Sequence, residues 1–399
     1  DAMRISSSSI QQGGLASMLR AQAELAKTQQ QVATGKRVNT AADDPGAAVQ
    51  IQQIERLMAA DKQYSTNTAV VTNRLSLEEQ SLADAGNTLQ RVSELALQAN
   101  NSVVDFASRR SIATEIRSRI EELQSIANRK DAGGDYIFAG TRSTSEPFAR
   151  IGASVTYTGD TGTRAVQVSA SQQVEDGHSG DEVFMNVAAG NGVFRATPSA
   201  TNVGSGILDP GTVNNLAAWV PGTYQIQFTS PTAWQVTDAS NAVIASGAYQ
   251  SGGTIAFNGA QLAISGVPAT GDRFTVAPAG FEDMFTTLDR LVTALESSPG
   301  TDSARALWGS EMNSIIQQLS QAGDHLLNVR ADIGSRLSRL DSVTSAREDL
   351  ELELNTSMSA LRDVDYSTAI TRMNSQMVTL QAAQQSYSRV AGLTLFDYL

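Results

Sequence analysis

The 399 residues suffice for one large domain or for two to three smaller ones, each with its own core. A formal net charge of −12 and a pI near 4.7 disfavour nucleic acid or an anionic membrane as the main partner. The chain contains no cysteine, which excludes disulfides, zinc–thiolate sites and thiol catalysis, and no run of eighteen apolar residues, which excludes a membrane-spanning helix.

The first third of the chain predicts long amphipathic helices. Residues 11–130 are rich in Ala, Gln, Leu, Glu and Arg and contain one proline, Pro45. Apolar side chains recur there every three or four residues, which is the spacing of one helix face. Three such stretches are Leu15, Met18, Leu25 and Val32; Val71, Leu75, Leu82, Ala85, Leu89, Val92 and Ala96; and Ile112, Ile116, Ile120, Leu123 and Ala127. The first has heptad spacing, but Gln22 and Gln29 occupy two of its positions and thin the apolar stripe.

Glycine, aspartate and proline predict where these helices begin and end. Gly35 is a suitable C-terminal stop, because glycine takes the left-handed backbone at little cost. Asp43-Asp44-Pro45 predicts a helix start, with a carboxylate to cap free N–H groups and a proline in the first turn. Gly133-Gly134 predicts the end of the first helical region, and residues 299–302 predict a restart before a long later helix.

Residues 141–280 predict an inserted β-rich domain. They hold seven of the nine prolines and many Gly, Thr, Ser and Asn residues, and apolar side chains alternate with period two. Residues 159–162, Gly-Asp-Thr-Gly, predict a hairpin turn between strands around Val155 and Val166. The other alternating positions are Tyr224, Ile226 and Phe228; Trp234 and Val236; Ile255 and Phe257; and Phe274 and Val276.

The last third returns to helical spacing. A short helix is predicted around Leu288, Leu291, Val292 and Leu295, and a long one through Ile315, Leu319, Leu326, Ile333, Leu337 and Leu340. The final stretch steps by four and three over more than three heptads: Tyr366, Ile370, Met373, Met377, Leu380, Gln384, Tyr387 and Ala391. The terminal stretches are therefore expected to pair with each other.

The predicted fold class is α+β and multidomain, with long antiparallel α-helical rods formed by the N- and C-terminal thirds and an inserted β-rich domain. We expect three parts. Residues 1–44 with 345–399 form terminal coiled-coil assembly segments, residues 45–140 with 281–344 form a helical rod domain, and residues 141–280 form the β-rich outer domain.

Catalytic and ligand-binding patterns are missing. His178 and His325 are the only histidines, and neither has a second histidine four residues away, as a zinc-binding helix requires. Both are expected to be solvated or packed. The chain has no G-x-S-x-G elbow and no phosphate-binding P-loop. We therefore expect no catalytic, cofactor-binding or metal site, and no cofactor.

Weaker patterns have structural interpretations as well. Asp363 and Asp365 are expected to be helix-start residues rather than a carboxylate pair. Residues 190–192 and 252–253, which contain paired glycines, are expected to be turns rather than anion cradles. Trp219 and Trp234 are expected to pack in the β-domain rather than to stack on sugars.

The terminal stretches predict an assembly module. Packing the six apolar residues of the last stretch would contribute on the order of 10 kcal/mol, and an isolated helix gains none of it. Because the N-terminal mate is short and interrupted, both ends are expected to become stable only beside neighbouring subunits. The predicted terminal seam consists of Leu15, Met18, Leu25, Val32, Tyr366, Ile370, Met373, Met377, Leu380 and Tyr387. An intramolecular helical bundle with nothing to polymerise remains the alternative from periodicity alone.

A family resemblance separates these alternatives. Residues 34–49, Thr-Gly-Lys-Arg-Val-Asn-Thr-Ala-Ala-Asp-Asp-Pro-Gly-Ala-Ala-Val, and the stretch from Asp363 through residues 381–385 to the end resemble the terminal signatures of the flagellin superfamily. Residues 136–141 with 147–148, and the ending 393–399, are most similar to its hook–filament junction proteins. Residues 271–276 resemble axial flagellar proteins over a short stretch. The resemblance does not extend to most of residues 150–270.

The resemblance implies a structural subunit of the bacterial flagellum and not an enzyme. It implies a ring of identical subunits between the first hook-associated protein and flagellin, with both termini lining an inner tube. It also implies export by the flagellar type III apparatus through an uncleaved N-terminal signal, an extracellular location, and an export chaperone on the C-terminal helix. A flagellin-type filament subunit is the nearest alternative, and a secreted carbohydrate-binding protein that uses Trp219 or Trp234 is a more distant one.

Overall fold

The computed structural model describes residues 7–101, 104–152 and 154–392, with side chains described from residue 12 to residue 389. In these ranges six α-helices flank fifteen short strands. The helices are α1 (Ser7–Thr34), α2 (Pro45–Ala99), α3 (Phe106–Ala127), α4 (Met284–Glu296), α5 (Asp302–Arg362) and α6 (Tyr366–Gly392). All strands lie between α3 and α4, so the predicted α+β fold class with an inserted β-rich region is confirmed.

The chain divides into two compact units. The terminal unit comprises residues 1–66 and 342–399, and the central unit comprises residues 67–341. α2 and α5 contribute residues to both units. The predicted division into three parts, with boundaries at residues 44, 140, 280 and 344, stays a prediction.

The β-rich region of the central unit is built from antiparallel pairs. Its strands are β1 (Phe148–Ile151), β2 (Ser154–Tyr157), β3 (Ala165–Gln167), β4 (Gln173–Glu175), β5 (Val187–Ala188), β6 (Phe194–Pro198), β7 (Ile207–Leu208), β8 (Thr212–Val213), β9 (Tyr224–Ser230), β10 (Ala233–Thr237), β11 (Val243–Ala248), β12 (Thr254–Phe257), β13 (Ala260–Ser265), β14 (Arg273–Pro278) and β15 (Phe281–Glu282). The largest sheet has the order β11-β10-β9-β14-β6, and a second sheet joins β12, β13, β7 and β8.

The period-two positions predicted from the sequence form the core of this region. Alternate residues of β9 are buried, and those of β12 and β14 follow the same alternation. Asn258 and Gly259, with φ of 43° and 78°, form the two-residue turn between β12 and β13, as a type I′ hairpin requires. The buried cluster includes Phe194, Ile226, Phe228, Val236, Ile255, Leu262, Ile264, Phe274 and Val276.

The hairpin predicted at residues 159–162 is wrong. β2 pairs with the preceding β1, and β3 pairs with the following β4. The Asp160 carboxylate explains the difference, since its Oδ1 accepts from the Thr141 N–H at 2.8 Å and from the Gly162 N–H at 2.9 Å. This loop is therefore bonded back to residues before β1, and the chain moves to a new strand pair.

The segment from residue 136 to Phe148 supplies an aromatic core where the first helices meet the strands. Phe138 and Phe148 lie edge-on to Phe184, with ring centroids 5.2 and 5.4 Å apart, and Phe148 lies 5.5 Å from Phe285 of α4. α3 ends earlier than predicted, at Ala127, where the Asn128 N–H donates to the last turn. Residues 133–134 lie in the turn beyond.

Candidate assembly surface

The two terminal signatures fold against each other in the terminal unit. The Arg37 N–H donates to the Arg362 carbonyl at 2.6 Å, and the Val364 N–H donates to the Gly35 carbonyl at 3.0 Å. Lys36 and Asp363 form an antiparallel bridge. Segments more than 300 residues apart in the sequence thus form one junction between α1, α2, α5 and α6.

Gly35 ends α1 in the way that the sequence predicts. Its φ is +70°, in the left-handed region, directly after the last helical residue, Thr34. A Cβ at this position would lie 2.9 Å from the Tyr366 hydroxyl. Glycine is therefore needed here both for its backbone and for the approach of α6.

Two aspartates close the turn and begin α2. Asp43 Oδ2 accepts from the Thr40 N–H at 2.8 Å, and its Oδ1 lies 3.1 Å from the Lys27 ammonium. The Thr40 N–H and Lys27 lower the pKa of Asp43 from 3.8 to about 2. Asp44 Oδ1 accepts from the Ala47 N–H at 3.0 Å, which caps α2 and lowers the pKa of Asp44. The predicted start at residues 43–45 is confirmed.

Asp365 is a helix-start residue, as expected, whereas Asp363 lies at the C-terminal end of α5 and not at a helix start. Asp365 Oδ1 accepts from the Ser367 N–H at 2.9 Å at the start of α6, and the Thr368 hydroxyl and N–H lower its pKa. Asp363 accepts from the Ser359 hydroxyl at 2.7 Å, which lowers the pKa of Asp363. Both carboxylates are used in the junction.

α1 and α6 run antiparallel, and their register is the same at both ends of the pair. Gly35 lies beside Tyr366 at one end of the pair, and a Cβ at Gly14 would lie 3.3 Å from Tyr387 at the other. The two contacts are 21 residues apart on both helices, which is three heptads. The less exposed positions repeat with the same spacing. Those that follow the spacing are Gly14, Met18, Ala21, Leu25, Thr28 and Val32 on α1, and Ala369, Met373, Gln376, Leu380, Ala383 and Tyr387 on α6; Lys27, Gln31 and Met377 are also less exposed and lie beside this line.

Some residues of the predicted terminal seam lie on this contact line between α1 and α6, and others lie beside it on more exposed faces of the two helices. Leu25 is buried, and Met18, Val32, Met373, Met377, Leu380 and Tyr387 are half-buried. Leu15, Tyr366 and Ile370 are 45%, 52% and 43% exposed. Small residues such as Gly14, Ala21 and Ala369 alternate with larger apolar ones along the contact line, and Leu15, Tyr366 and Ile370 lie on its flanks.

Sequence reasoning missed two residues of this surface. Leu19 and Val378 are 58% and 65% exposed. Leu19 lies four residues after Leu15 and therefore on the same helix face, a spacing that could have identified it. Val378 has no such signal, because the residues three and four positions away on its helix face are Asn374, Ser375, Gln381 and Ala382. Whether the terminal seam acts in assembly stays a prediction.

The α1–α6 pair has little core of its own. Among the described side chains of the two helices, the apolar ones that are buried are Leu25 and Ala369. α3 has 22 residues and buries seven apolar side chains. The side-chain Oε1 of Gln376, on the contact line, is buried without a hydrogen-bond partner, which costs stability. Burial within the lone chain therefore stabilises this pair weakly.

The rest of the terminal unit is held more firmly. Arg347 on α5 and Asp61 on α2 are both nearly buried, and Arg347 Nε lies 2.8 Å from Asp61 Oδ1. Arg347 Nη2 also donates to the carbonyl of Asp61 at 3.1 Å. Leu354 and Met358 are buried on the same helix. Large apolar side chains still remain exposed around them, namely Val49, Leu57, Leu350 and Leu352.

The described part of the chain can be compared with what a metal site, a membrane span or a sugar-stacking platform requires. It contains no group of three or more His, Asp or Glu side chains placed to hold a metal ion. Within the same ranges, no helix is both long and apolar enough to cross a bilayer. The Trp219 ring lies 5.3 Å from that of Phe194, and Trp234 Nε1 donates to the Ala248 carbonyl at 3.2 Å. Both tryptophans pack within the β-region, as expected.

Comparisons with known proteins agree with the two signatures. Residues 5–143 match the bacterial flagellin N-terminal helical region, and residues 312–399 match the C-terminal helical region. Residues 199–278 match the D2-like domain of flagellar hook-associated protein 1. The last match corrects the expectation that the resemblance leaves most of 150–270 aside, and it contains the short stretch 271–276.

Over most of its length, the chain is similar to hook-associated proteins of the flagellum. Flagellar hook-associated protein 3 of Escherichia coli is 26% identical over 396 residues, 99% of both chains. The crystal structure of Xanthomonas campestris FlgL is 36% identical with a TM-score of 0.71, covering 77% of this chain and 99% of that one. Hook-associated protein 3 of Legionella pneumophila is 30% identical with a TM-score of 0.74, covering 78% and 98%.

Flagellins align over a shorter stretch. Flagellin FlaB1 of Treponema pallidum is 26% identical over 134 residues, 34% of this chain and 47% of its own. The terminal signatures, their mutual packing and the whole-chain likeness thus agree, and the chain belongs to the hook-associated protein 3 (FlgL) family within the flagellin superfamily.

Proposed function

We propose that this chain is the structural subunit that joins the flagellar hook to the flagellin filament. The observation that carries the proposal is the α1–α6 pair, in which exposed apolar side chains flank a contact line with almost no buried core. Covering such side chains with neighbouring subunits stabilises the pair and the assembly together. The likeness to hook-associated protein 3 over the full chain supports the junction as the place of assembly.

The proposed partners follow from this arrangement. Copies of the chain form a ring, with the first hook-associated protein on one side and flagellin on the other. The function is mechanical and involves no catalysis or cofactor. The 55-residue α2 and the 61-residue α5 suit such a role, because long helices held side by side by pairs such as Asp61–Arg347 resist bending.

Export and location are part of the same proposal. The subunit leaves the cell through the flagellar type III apparatus, uses its N-terminal segment as an uncleaved signal, and functions outside the cell. An export chaperone binds α6 before assembly. The exposure of Ile370 and Val378 supports this step, since a chaperone that covers them prevents premature association.

Deletion of the gene tests the proposed function. Cells without the junction subunit should carry hooks that end without filaments and should release soluble flagellin into the medium. Reintroducing the gene should restore filaments. If the deletion strain also lacked soluble flagellin, the chain would be a filament subunit; if filaments were normal, the proposed function would be wrong.

A further inference from the structure

A buried imidazole joins two helices and a loop in the central unit. His178 is 4% exposed and follows β4. Its Nδ1 lies 2.8 Å from Oε1 of Glu78 on α2, and its Nε2 lies 3.1 Å from Oδ2 of Asp332 on α5. The main-chain N–H of His178 donates to the same Glu78 oxygen at 3.1 Å. One side chain therefore connects residues that are 100 and 154 positions away in the sequence.

The geometry favours a doubly protonated ring when both facing carboxylates are ionised. An ionised carboxylate only accepts hydrogen bonds, and a neutral imidazole has one N–H and one lone pair. Because both ring nitrogens face carboxylate oxygens, two N–H groups are needed, and the imidazolium is the form that satisfies both contacts. In the neutral form, one lone pair would face a carboxylate oxygen.

The charges around His178 favour the same form. Carboxylates outnumber guanidinium groups among the residues that face this cluster. The carboxylates are Glu78 of α2, Asp131 after α3, Glu175 and Asp176 at β4, Glu182 before β5 and Asp332 of α5; the guanidiniums are Arg74 of α2, Arg164 before β3 and Arg336 of α5.

The two coupled groups both hold their proton more tightly than usual. Burial lowers the pKa of His178, but the hydrogen bond and charge of Glu78 outweigh burial and raise that pKa above 6.5. Burial raises the pKa of Glu78, although His178 opposes the increase. The folded pair therefore keeps its proton to a higher pH than the same groups do in the unfolded chain.

We propose that His178 is a proton-dependent latch, which as an imidazolium bridges α2 and α5 and gives up its bond to Asp332 of α5 when it loses a proton. The neighbouring Glu79–Arg330 pair, with Arg330 Nη2 2.7 Å from Glu79 Oε1, does not depend on His178 and remains between the two helices. The bond to Asp332 is the one that breaks, because the two carboxylates that face His178 differ in exposure. The Glu78 side chain is 1% exposed and is fixed by two bonds to His178, whereas that of Asp332 is 50% exposed and can turn to water. Loss of the proton thus breaks the bond at Nε2 and leaves the Glu78 side in place.

The latch makes the stability of the central unit depend on pH in a defined direction. Since the folded pKa of His178 is raised, its contribution is fully present below the unfolded value of 6.5. That contribution is lost as the pH rises through the folded pKa. Alkaline solution should therefore remove the His178–Asp332 bond and lower the stability of the central unit, while both helices and the Glu79–Arg330 pair persist.

NMR of the full-length protein tests the latch cleanly, because His178 and His325 are the only histidines in the sequence. The chemical shift of the ring carbon between the two nitrogens reports the protonation of each histidine during a pH titration. We expect His178 to titrate above 6.5, the ordinary value for imidazole, and the thermal unfolding midpoint to fall across the His178 titration.

Two variants separate the latch from a general effect of charge. Asp332→Asn should lower the titration midpoint of His178, because it removes one of the two facing charges. Asp341→Asn, at an exposed position of the same helix, should leave that midpoint unchanged. A His178 signal that titrates at or below 6.5, an unchanged midpoint in Asp332→Asn, or a thermal midpoint insensitive to the His178 titration would each overturn the proposal.

Discussion

Replacing Leu15 and Leu19 with serine should weaken assembly without unfolding the lone chain. Both leucines lie on one flank of α1, four residues apart, and are 45% and 58% exposed. The substitution removes apolar area without adding charge. In the lone chain the expected loss is about 1–1.5 kcal/mol for each position, from the covered half of the side chain and the lower helix propensity of serine, and the fold persists.

The effect on assembly follows from the exposed fractions. Full burial of a leucine side chain is worth about 1.5–3 kcal/mol. The exposed parts of the two leucines amount to about one whole side chain, so a neighbour that covers them contributes about 1.5–3 kcal/mol per contact. Losing this contribution lowers the association constant roughly 10- to 150-fold.

Binding of purified protein to isolated hooks measures this change independently of export. The half-saturating concentration should rise by the factor given above in the Leu15→Ser/Leu19→Ser variant. Ala16→Ser/Ala23→Ser is the matched control, since it places the same residues at exposed positions of α1 and removes little apolar area. The control should bind within about twofold of the unaltered protein.

Two results would refute the reasoning. Unchanged hook binding by the double leucine variant would show that no partner covers this flank of α1. A loss of stability in the lone chain well above the amount expected here would show that the leucines belong to an internal core.

Three further predictions concern the terminal unit. Gly35→Ala should destabilise the junction by about 1–2 kcal/mol, because alanine resists a positive φ, and the Val364 N–H should then exchange roughly 5- to 30-fold faster. Asp61→Ala should lower the free energy of unfolding, measured in urea, by about 3–5 kcal/mol, because it leaves the Arg347 charge buried and unpaired. The double variant Asp61→Leu/Arg347→Met should recover most of that free energy. Because the pKa of Asp43 is lowered, its carboxylate stabilises the folded protein above pH 3.8, and this contribution is lost as the pH falls towards 2. In Asp43→Asn, the thermal unfolding midpoint should therefore fall less steeply between about pH 4 and pH 2 than in the unaltered protein.

Local features of the fold could be predicted from the sequence. The stop at Gly35 and the start at Pro45 depend on neighbouring residues alone, and the structure places both where they were expected. The alternation in β9 and β14 likewise reports burial directly, because successive strand residues face opposite sides. Such signals do not require knowledge of the partner element.

Pairing between distant segments could not be predicted in the same way. The turn-like residues 159–162 suggest a hairpin, but Asp160 bonds to Thr141 and sends the chain elsewhere. The α1–α6 contact line passes through Gly14, Ala21 and Ala369, which a search for large apolar residues ignores. His178 gives no sign in the sequence of its distant partners on α2 and α5. These outcomes depend on tertiary contacts.

Amide exchange on the dilute protein tests the central claim most directly. If neighbouring subunits supply the missing cover, residues 11–32 and 366–391 should exchange much faster than α3 in the lone chain and become protected after assembly onto hooks. Protection of both stretches equal to that of α3 in the dilute protein would contradict the account.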